Sequence, residues 1–396
     1  MEILKLVKEK HDYLIRTRRY VHQHPELSWK EFETTDFIEQ ELKKLGLETH
    51  RFKGHTGITA TIHGGKADEH SKTIMLRADI DALPINEETG LEFSSVCPGV
   101  MHACGHDTHI AMLLTAAQIL AEHKDELCGN VKLLFQGGEE TAIGAKYYVD
   151  QGIMDGVDAV YGCHIATWLD APYISVNEGP RFAGTDEFYV YIKGVNAHGG
   201  TPQLGRDAVV AASAIVMNLQ SIVSRRIDSL ESMVITVGKI EGGSNYNVVS
   251  GEATLNGTVR TFSREIQAQA PVLMKEVIEN TAKAFGCTAE LKYLNKTGPV
   301  IHDDKKMVAL AEHAATKLYG DEILKVTKPT GVGDDFAYFM EKVPGIYATI
   351  GAANEKVGKI YPHHHAKIVF DESSMERGTA MFVQMAVDFL ENSKKE

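Results

Sequence analysis

Short, continuous apolar runs alternate along this chain with longer stretches in which apolar residues recur at helical spacing. The runs at 73–77, 131–135 and 159–163 predict buried strands, because a strand covered on both faces has no polar side to present to water. Between the first two, residues 110–123 predict a strongly apolar helix. The order strand, helix, strand is typical of an α/β domain, in which binding sites form at the carboxyl ends of strands.

The N-terminal part is predicted to be helical. Apolar positions in residues 1–23 recur at roughly helical spacing, and Pro25 ends that helix. The tetrapeptide S-W-K-E at 28–31 predicts a capping box, in which a serine and a glutamate three residues later bond to free backbone N–H groups. The helix that it starts is predicted to run to about Leu45, with Gly46 just beyond its end.

A second, smaller domain is predicted in the middle of the chain. Its elements follow the order β-α-β-β-α-β, which forms a two-layer α/β sandwich able to fold by itself. We therefore predict a large α/β domain with a central mixed sheet flanked by helices, formed by 1–182 and 297–396 and interrupted by the smaller domain at 183–296. The elements of the smaller domain are strands at 187–192, 233–240, 253–260 and 289–294 and helices at 207–223 and 265–285.

Length and composition narrow the class of protein. At 396 residues the chain exceeds the usual limit of a single core, and 43% hydrophobic with 24% charged residues is ordinary globular composition. The formal net charge of −13 argues against nucleic acid and anionic membranes as partners. Five scattered cysteines, an odd number, do not form a disulfide framework, and the charged N-terminus lacks the apolar segment of a signal peptide. No run approaches roughly 18 apolar residues, so we expect a cytoplasmic protein without a membrane span.

Residues 99–109, G-V-M-H-A-C-G-H-D-T-H, concentrate ligand-type side chains. Cys104 and His106 lie on either side of one glycine, so a thiolate and an imidazole on one tight turn can point at the same ion. Both are borderline-soft ligands that suit Zn²⁺. The segment therefore predicts a metal site.

Ligand-type residues recur downstream, where strands are predicted to end. Two neighbouring divalent ions need a bridging ligand and a few terminal ones, and a metal-bound thiolate has lone pairs to share. Cys104 can therefore bridge two ions, with His106 and His164 on one of them. Glu140 and a histidine of the triplet 363–365 would serve the other ion.

Glu139 and Glu140 are adjacent after the strand at 131–135, so in extended geometry their side chains diverge. One carboxylate can then bind a metal while its neighbour remains free to accept a proton. A metal lowers the pKa of its bound water to about 7 in favourable sites, and Glu139 would act on that water as general base and later as acid. Such an assembly hydrolyses amides.

The segments around these residues match one family over nearly the whole chain. They read R-A-D-I-D-A-L-P at 77–84, M-H-A-C-G-H-D at 101–107, F-Q-G-G-E-E at 135–140, N-A-H-G-G-T-P at 196–202, N-V-V-S-G-E-A-T-L-N-G-T-V-R-T at 247–261, G-V-G-D-D-F at 331–336 and the histidines before F-D-E at 370–372. With them the chain resembles the metal-dependent amidohydrolases and peptidases of the M20 family, in particular the aminoacylase, hippurate-hydrolase and auxin-conjugate-hydrolase branch. The resemblance implies a catalytic domain interrupted by a lid that also mediates dimerisation, and two divalent ions, first Zn²⁺ and otherwise Mn²⁺, Co²⁺ or Ni²⁺. It also implies a homodimer or higher homo-oligomer.

The resemblance assigns roles to single residues of the catalytic domain. Cys104 bridges the ions, Glu139 is the base, and Asp81 orients a ligand from behind. The terminal ligands are His106, Glu140, His164 and one C-terminal histidine.

The histidine triplet leaves its own contribution open. Counting back from F-D-E favours His364 as the last ligand, with His365 as its rival and His363 as the least favoured.

By the same resemblance, three lid residues close over the substrate. His198 would hydrogen-bond the oxyanion, in many family members from the partner subunit of a dimer. Asn247 and Arg260 would bind polar or carboxylate groups of the substrate.

Two segments depart from the family pattern. Gly137 and Gly138 stand where relatives usually have Pro and Ala, which loosens the strand end that delivers Glu139. N-V-V-S at 247–250 replaces the usual N-V-I-P, which bears on the direction of Asn247.

Other functions are compatible with parts of the pattern. Within the family, an aminopeptidase, carboxypeptidase or dipeptidase acting on short peptides would need the same metal site as a hydrolase of N-acyl amino acids; the C-G-H form of the ligand segment favours the latter. Cys104 could instead be the nucleophile of a thiol hydrolase, with His106 or His109 as base, but this leaves the downstream ligands unused. A catalytically silent metal- or ligand-binding protein would be expected to have lost Glu139.

Overall fold

Helices and strands alternate along most of the chain, as the apolar pattern predicts. The computed structural model describes residues 1–394. Its strands, in chain order, are β1 Thr49–Arg51, β2 Ile58–His63, β3 Thr73–Asp79, β4 Asn130–Gln136, β5 Ala159–Asp170, β6 Ile174–Ser175, β7 Gly179–Phe182, β8 Gly184–Lys193, β9 Ala197–His198, β10 Met233–Gly242, β11 Val248–Val249, β12 Glu252–Thr261, β13 Thr288–Thr297, β14 Val300–His302 and β15 Gly345–Ala353. Its α-helices are α1 Ile3–Glu9, α2 His11–Gln23, α3 Phe32–Lys44, α4 His106–Glu122, α5 Gly144–Asp150, α6 Ala208–Arg225, α7 Arg264–Ala284, α8 Lys305–Tyr319, α9 Ala337–Met340 and α10 Ser373–Ser393.

A seven-stranded mixed sheet, in the order β1-β2-β4-β3-β5-β15-β6, forms the centre of the first compact unit. Its four middle strands are parallel, while β1, β2 and β6 run antiparallel to their neighbours. Helix α4, predicted from its apolar residues, is buried along nearly its whole length. The carboxyl ends of the parallel strands therefore meet at one edge of the sheet, where open α/β sheets bind their ligands.

The chain divides into units at positions close to the predicted domain boundaries. The first unit contains residues 1–179, 302–328 and the chain from Tyr338 onward; the second contains 180–301 and 329–337. Residues 329–337 thus cluster with the second unit, although we predicted them in the larger domain. The prediction is wrong for this segment because its contacts are with residues distant in sequence, and periodicity reports only local structure.

The second unit is a four-stranded antiparallel sheet with two helices, in the predicted β-α-β-β-α-β order. The sheet order is β10-β12-β8-β13, and α6 and α7 pack on it around a separate apolar core. Length and composition alone would allow α6 to cross a membrane. One of its faces, including Ile215 and Leu219, is nevertheless buried in this core.

The predicted capping box is wrong. Helix α3 begins at Phe32 after Glu31, and the carboxylate of Glu26, not the Ser28 hydroxyl, accepts from the backbone N–H groups of Glu33 and Thr34 in its first turn. Ser28 instead donates to Asp81, and Glu31 accepts hydrogen bonds from Thr56 and from the backbone of Gly138. Both side chains are directed towards the edge of the sheet rather than towards their own helix.

Candidate metal centre

Cys104 and His106 are placed together by a glycine turn at the start of α4. Gly105 has φ 91°, in the left-handed region, and a Cβ there would lie 2.6 Å from Cγ2 of Ile165. Only glycine meets both conditions. Helix α4 can therefore begin at His106, two residues after Cys104, so that both side chains face the carboxyl edge of the sheet.

The sulfur of Cys104 belongs to two groups of potential metal ligands. The first triad is Cys104 with His106 and His164, and the second triad is Cys104 with Glu140 and His364. Within each triad the ligand atoms lie within 4.8 Å of one another. The Sγ atom lies 3.5 Å from Nε2 of His164, and Nε2 of His364 lies 3.4 Å from Oε1 of Glu140. One thiolate shared by two triads is the arrangement that a dinuclear site needs.

Hydrogen bonds orient the two histidines of the first triad. Nδ1 of His106 donates to the carbonyl oxygen of Asp81 at 2.8 Å, and Nδ1 of His164 donates to that of Ile165 at 2.6 Å. Each ring therefore presents Nε2 as a lone pair, which is the usual state of metal-binding histidines. Nε2 of His106 is buried and has no hydrogen-bond partner. This orphaned atom, together with the thiol, fits a bound metal ion.

The electrostatic field around His106 favours a cation. Burial by itself would lower the pKa of His106, but the carboxylates of Asp79 and Asp81 outweigh it and raise the pKa to about 10. These groups thus stabilise positive charge at the ring. A divalent ion bound there would meet the same stabilisation in place of the proton.

The histidine triplet separates into three different environments. His364 has φ 63° and is the member whose ring adjoins Glu140. His363 is half-buried, with Nδ1 3.7 Å from the Cys104 sulfur and Nε2 accepting from the backbone of Thr167. His365 stacks on Tyr361 with ring centroids 4.3 Å apart.

Glu139 and Glu140 lie on a tight turn and not on the extended strand end that we predicted. The turn Glu139–Thr141 is 3₁₀-helical and follows Gly138, whose φ is 73°. The predicted divergence of the two carboxylates is wrong, because one oxygen of each lies within 4.8 Å of the other and of a ring nitrogen of His106. Glu139 is 7% exposed, and its Oε2 lies 4.0 Å from Nε2 of His106.

Asp81 connects the turn to the first triad. Its Oδ2 accepts from the backbone N–H of Glu140 at 2.9 Å and from the Ser28 hydroxyl at 2.7 Å. Its Oδ1 lies 3.2 Å from Nδ1 of His106. The carboxylate is buried and touches both halves of the candidate site from behind, as expected for an orienting group.

His164 lies within β5 and does not end it, because the strand continues to Asp170. Its position is supported by a buried group that we did not predict. Asp79 accepts from Arg77 at 2.6 Å and from Nδ1 of His109 at 2.5 Å, and Nε2 of His109 accepts the backbone N–H of Ile165 at 2.9 Å. The spacing Arg77-x-Asp79 on one strand face was the available signal.

The two glycines that depart from the family pattern have a steric explanation. A Cβ at Gly137 would lie 2.6 Å from the Thr56 hydroxyl, and one at Gly138 would lie 2.4 Å from Cε2 of Trp29. Larger residues would collide with these side chains. The turn therefore is packed closely rather than loosened.

Left-handed backbone in non-glycine residues is confined to this site within residues 1–394. Trp29, Ala142 and His364 have φ between 58° and 65°. Trp29 packs on the Glu139 turn, Ala142 ends it, and His364 belongs to the second triad. Such conformations cost roughly 1–3 kcal/mol each and cluster at functional sites.

The predicted lid residues form two separate groups within the second unit. His198 pairs with Val248 across β9 and β11, and Gly199 donates to the carbonyl of Asn247 at 2.7 Å. Both His198 and Asn247 are exposed, beyond the Glu252 end of β12. Arg260 lies at the other end of that strand, about 27 Å from Glu252 at roughly 3.4 Å per residue.

The fold and the shared sulfur together define a mixed α/β protein with a candidate dinuclear metal centre. The chain belongs to the peptidase family M20/M25/M40, whose family model matches residues 75–388. The resemblance inferred from the sequence segments is thereby confirmed.

Characterised and solved relatives cover almost the whole chain. N-acetyl-L-cysteine deacetylase of Bacillus subtilis is 38% identical over 382 residues, which cover 96% of this chain and 89% of that protein. Thermostable carboxypeptidase 2 of Saccharolobus solfataricus is 34% identical over 395 residues, covering 97% of each. The crystal structure of a dinuclear metal-binding M20 peptidase from B. subtilis matches with a TM-score of 0.85 at 34% identity, over 97% of this chain and 99% of that one. These similarities confirm the predicted fold class and identify the protein as a hydrolase.

Proposed function

We propose that this protein is a two-metal amidohydrolase that releases amino acids from N-acyl amino acids. The main support is the Cys104 sulfur, which belongs to two ligand triads beside Glu139. The deacetylase name of the B. subtilis relative supports an N-acyl amino acid as substrate. The carboxypeptidase name of the S. solfataricus relative supports the second candidate, hydrolysis of short peptides.

The proposed cofactors are two divalent ions, with Zn²⁺ first and Mn²⁺, Co²⁺ or Ni²⁺ as alternatives. Cys104 would bridge them, His106 and His164 would bind one, and Glu140 with His364 the other. The soft thiolate and neutral imidazoles favour transition metals over Mg²⁺. When bound, the ions would acidify a water molecule and polarise the amide carbonyl.

Proton transfer would be the task of Glu139. Its carboxylate would take one proton from water as the oxygen adds to the amide carbon, and would return it to the nitrogen as the C–N bond breaks. The products are a carboxylate and a free amine. Asp81 would keep its charge and orient His106 and the backbone of Glu140.

A homodimer would complete the substrate site. The separation of about 27 Å along β12 means that a small substrate cannot touch both Arg260 and the His198–Asn247 corner of one chain. If all three contact one substrate, a second copy must supply one group. The edge strand β10, with exposed Val234 and Ile240, offers free pairing positions for such a copy.

The proposed location is the cytoplasm. Cys104 must remain a thiolate to bind metal, and cytosolic reductants keep thiols reduced. Within residues 1–394, none of the five cysteines forms a disulfide. Expression of a fluorescent fusion in the native cell tests this location.

The decisive experiment is a substrate panel. Protein loaded with one metal is assayed on N-acetyl and N-benzoyl amino acids and on dipeptides, before and after treatment with a chelator. The proposal expects larger kcat/KM values on the acylated amino acids, loss of activity on chelation, and recovery with Zn²⁺, Mn²⁺ or Co²⁺. Preference for dipeptides would favour the peptidase, activity that survives chelation would favour a thiol hydrolase, and inactivity on the whole panel would favour a silent binding protein.

A further inference from the structure

A short N-terminal segment packs against the turn that contains Glu139. We name residues 28–31 the N-terminal clamp. Ser28 donates to Asp81, the Trp29 ring lies on the α-carbon of Gly138, and Glu31 accepts the N–H of Gly138. The clamp thus contacts the turn and the orienting carboxylate directly, although it is more than a hundred residues from the turn in sequence.

Glu31 is the buried centre of these contacts. Its side chain is fully buried, Oε1 accepts from the Gly138 N–H at 2.8 Å, and Oε2 accepts from the Thr56 hydroxyl. Thr56 itself is 1% exposed. Two buried donors therefore depend on this one carboxylate, and each would be left unsatisfied without it.

Keeping a carboxylate at this position is costly. Burial, together with the nearby charge of Asp81, raises the pKa of Glu31 to about 7. An apolar residue would avoid that cost if the side chain only filled space. Trp29 adds a second cost, since its φ of 65° is unfavourable for a residue with a side chain. Perturbed groups and strained backbone of this kind concentrate where geometry serves function.

We propose that Glu31 is a positioning residue for Glu139. By accepting the Gly138 N–H it fixes the residue from which the turn Glu139–Thr141 starts, and so sets the direction of the Glu139 carboxylate. The side chain of Glu31 hydrogen-bonds to Thr56 and Gly138 and not to the proposed ligands, and it acts on Glu139 through Gly138. The inference rests on the proposed role of Glu139 as the base.

Two substitutions separate positioning from space filling. Glu31→Gln keeps an oxygen for the Gly138 N–H, and its amide can donate to the Thr56 hydroxyl. Glu31→Met has similar length but no strong acceptor. Because a displacement of about 1 Å can cost about 100-fold in rate, we expect kcat of Glu31→Met to fall about 10- to 100-fold with KM changed less than about 3-fold. We expect Glu31→Gln to stay within about 3-fold of the parent kcat.

The measurements are kcat and KM of the metal-saturated proteins, with bound metal per chain and the unfolding midpoint. Glu33→Ala, at an exposed position two residues further along the chain in the first turn of α3, is the matched control and should match the parent. A parental kcat in Glu31→Met overturns the inference, as does a loss in Glu31→Gln equal to that in Glu31→Met.

Folding failure and failure of the proposed function remain distinguishable. If Glu31→Met does not fold, Thr56→Val replaces it, because it removes one of the two donors that orient the Glu31 carboxylate. We then expect a kcat about 3- to 10-fold lower, and an unchanged kcat overturns the inference. If Glu139→Gln remains active, the assigned base is wrong; if it is inactive while Glu31→Met is fully active, only the role of Glu31 is wrong.

Discussion

Glu139 is the residue on which the proposed chemistry depends most. It lies near the first triad without belonging to either group that contains Cys104. We predict that Glu139→Gln lowers kcat by several orders of magnitude while bound metal per chain, measured by elemental analysis, stays the same. An amide cannot accept the proton from water, but the ligands are unaltered.

Glu140→Gln is the matched comparison on the same turn. It should lose metal as well as activity, because Glu140 is in the second triad. Retained turnover in the Glu139 variant would exclude that residue as the base.

A buried carboxylate near α2 makes stability depend on pH. Burial would raise the pKa of Glu87, but the hydrogen bond and charge of His22 outweigh it and lower the pKa to about 2. The unfolded value is about 4.3, so the ionised group stabilises the fold above that pH, and the contribution is lost as pH falls from about 4.3 to 2.

We therefore predict that Glu87→Gln is less stable than the parent at pH 6 and that the difference closes towards pH 2. Urea unfolding of metal-free protein at several pH values measures it, with exposed Glu92→Gln as the control. A difference that stays constant with pH would show that the loss is one of packing.

At the scale of elements, the turn after β4 is held by close packing as well as hydrogen bonds. We predict that Gly138→Ala lowers the free energy of unfolding by about 1–3 kcal/mol and also lowers kcat, because its Cβ would collide with Trp29. Chemical unfolding and steady-state kinetics measure the two effects.

Gly90→Ala separates backbone strain from collision. Gly90 has φ 72°, nearly that of Gly138, but a Cβ there would meet nothing within 4 Å. Gly90→Ala should lower the free energy of unfolding through backbone strain alone and leave kcat unchanged. Equal effects of the two substitutions would contradict the packing argument.

Helices and strands were predictable where the spacing of apolar residues favoured only one type of secondary structure. Helix α4 covers most of the predicted stretch 110–123, because its apolar residues decide for a buried helix. The clamp was mispredicted because Ser28 and Glu31 have the spacing of a cap, while their partners Asp81 and Gly138 are distant in sequence. A local sequence pattern does not show whether a side chain bonds to a nearby backbone N–H or to a buried group that is distant in sequence.

The candidate site was predictable as a set of residue types, but its geometry was not. The C-G-H turn and the adjacent glutamates stand out in sequence. Which histidine of the triplet adjoins Glu140 depends instead on the backbone φ of His364. The Arg77-x-Asp79 spacing indicates a buried pair, but the sequence gives no sign of the bond from Ile165 to His109, because the donated N–H belongs to the backbone.

At the scale of the whole molecule, the proposed dimer makes a sharp prediction. Glu139→Gln and His198→Ala are each expected to be nearly inactive. If His198 acts on the partner's centre, a mixed dimer contains one complete site, so random mixing by co-expression should restore about a quarter of parental activity. Activity of the co-expressed, purified mixture is compared with each variant alone.

The mixed dimer also tests the alternative arrangement, in which His198 acts on the centre of its own chain. If each lid serves its own chain, no mixture contains a complete site and activity stays at the level of the single variants. Co-expression of Glu139→Gln with Glu139→Ala provides the control, because neither chain then supplies the base.

The shared sulfur exposes this hydrolase to a hazard that separate ligands would avoid. Because Cys104 is in both triads, a single two-electron oxidation by peroxide to the sulfenic acid would remove a donor from each ion at once. Its burial, at 8% exposure, and coordination of its lone pairs would both slow that attack. We therefore expect Cys104 to be oxidised faster in protein that has lost its metal than in metal-loaded protein.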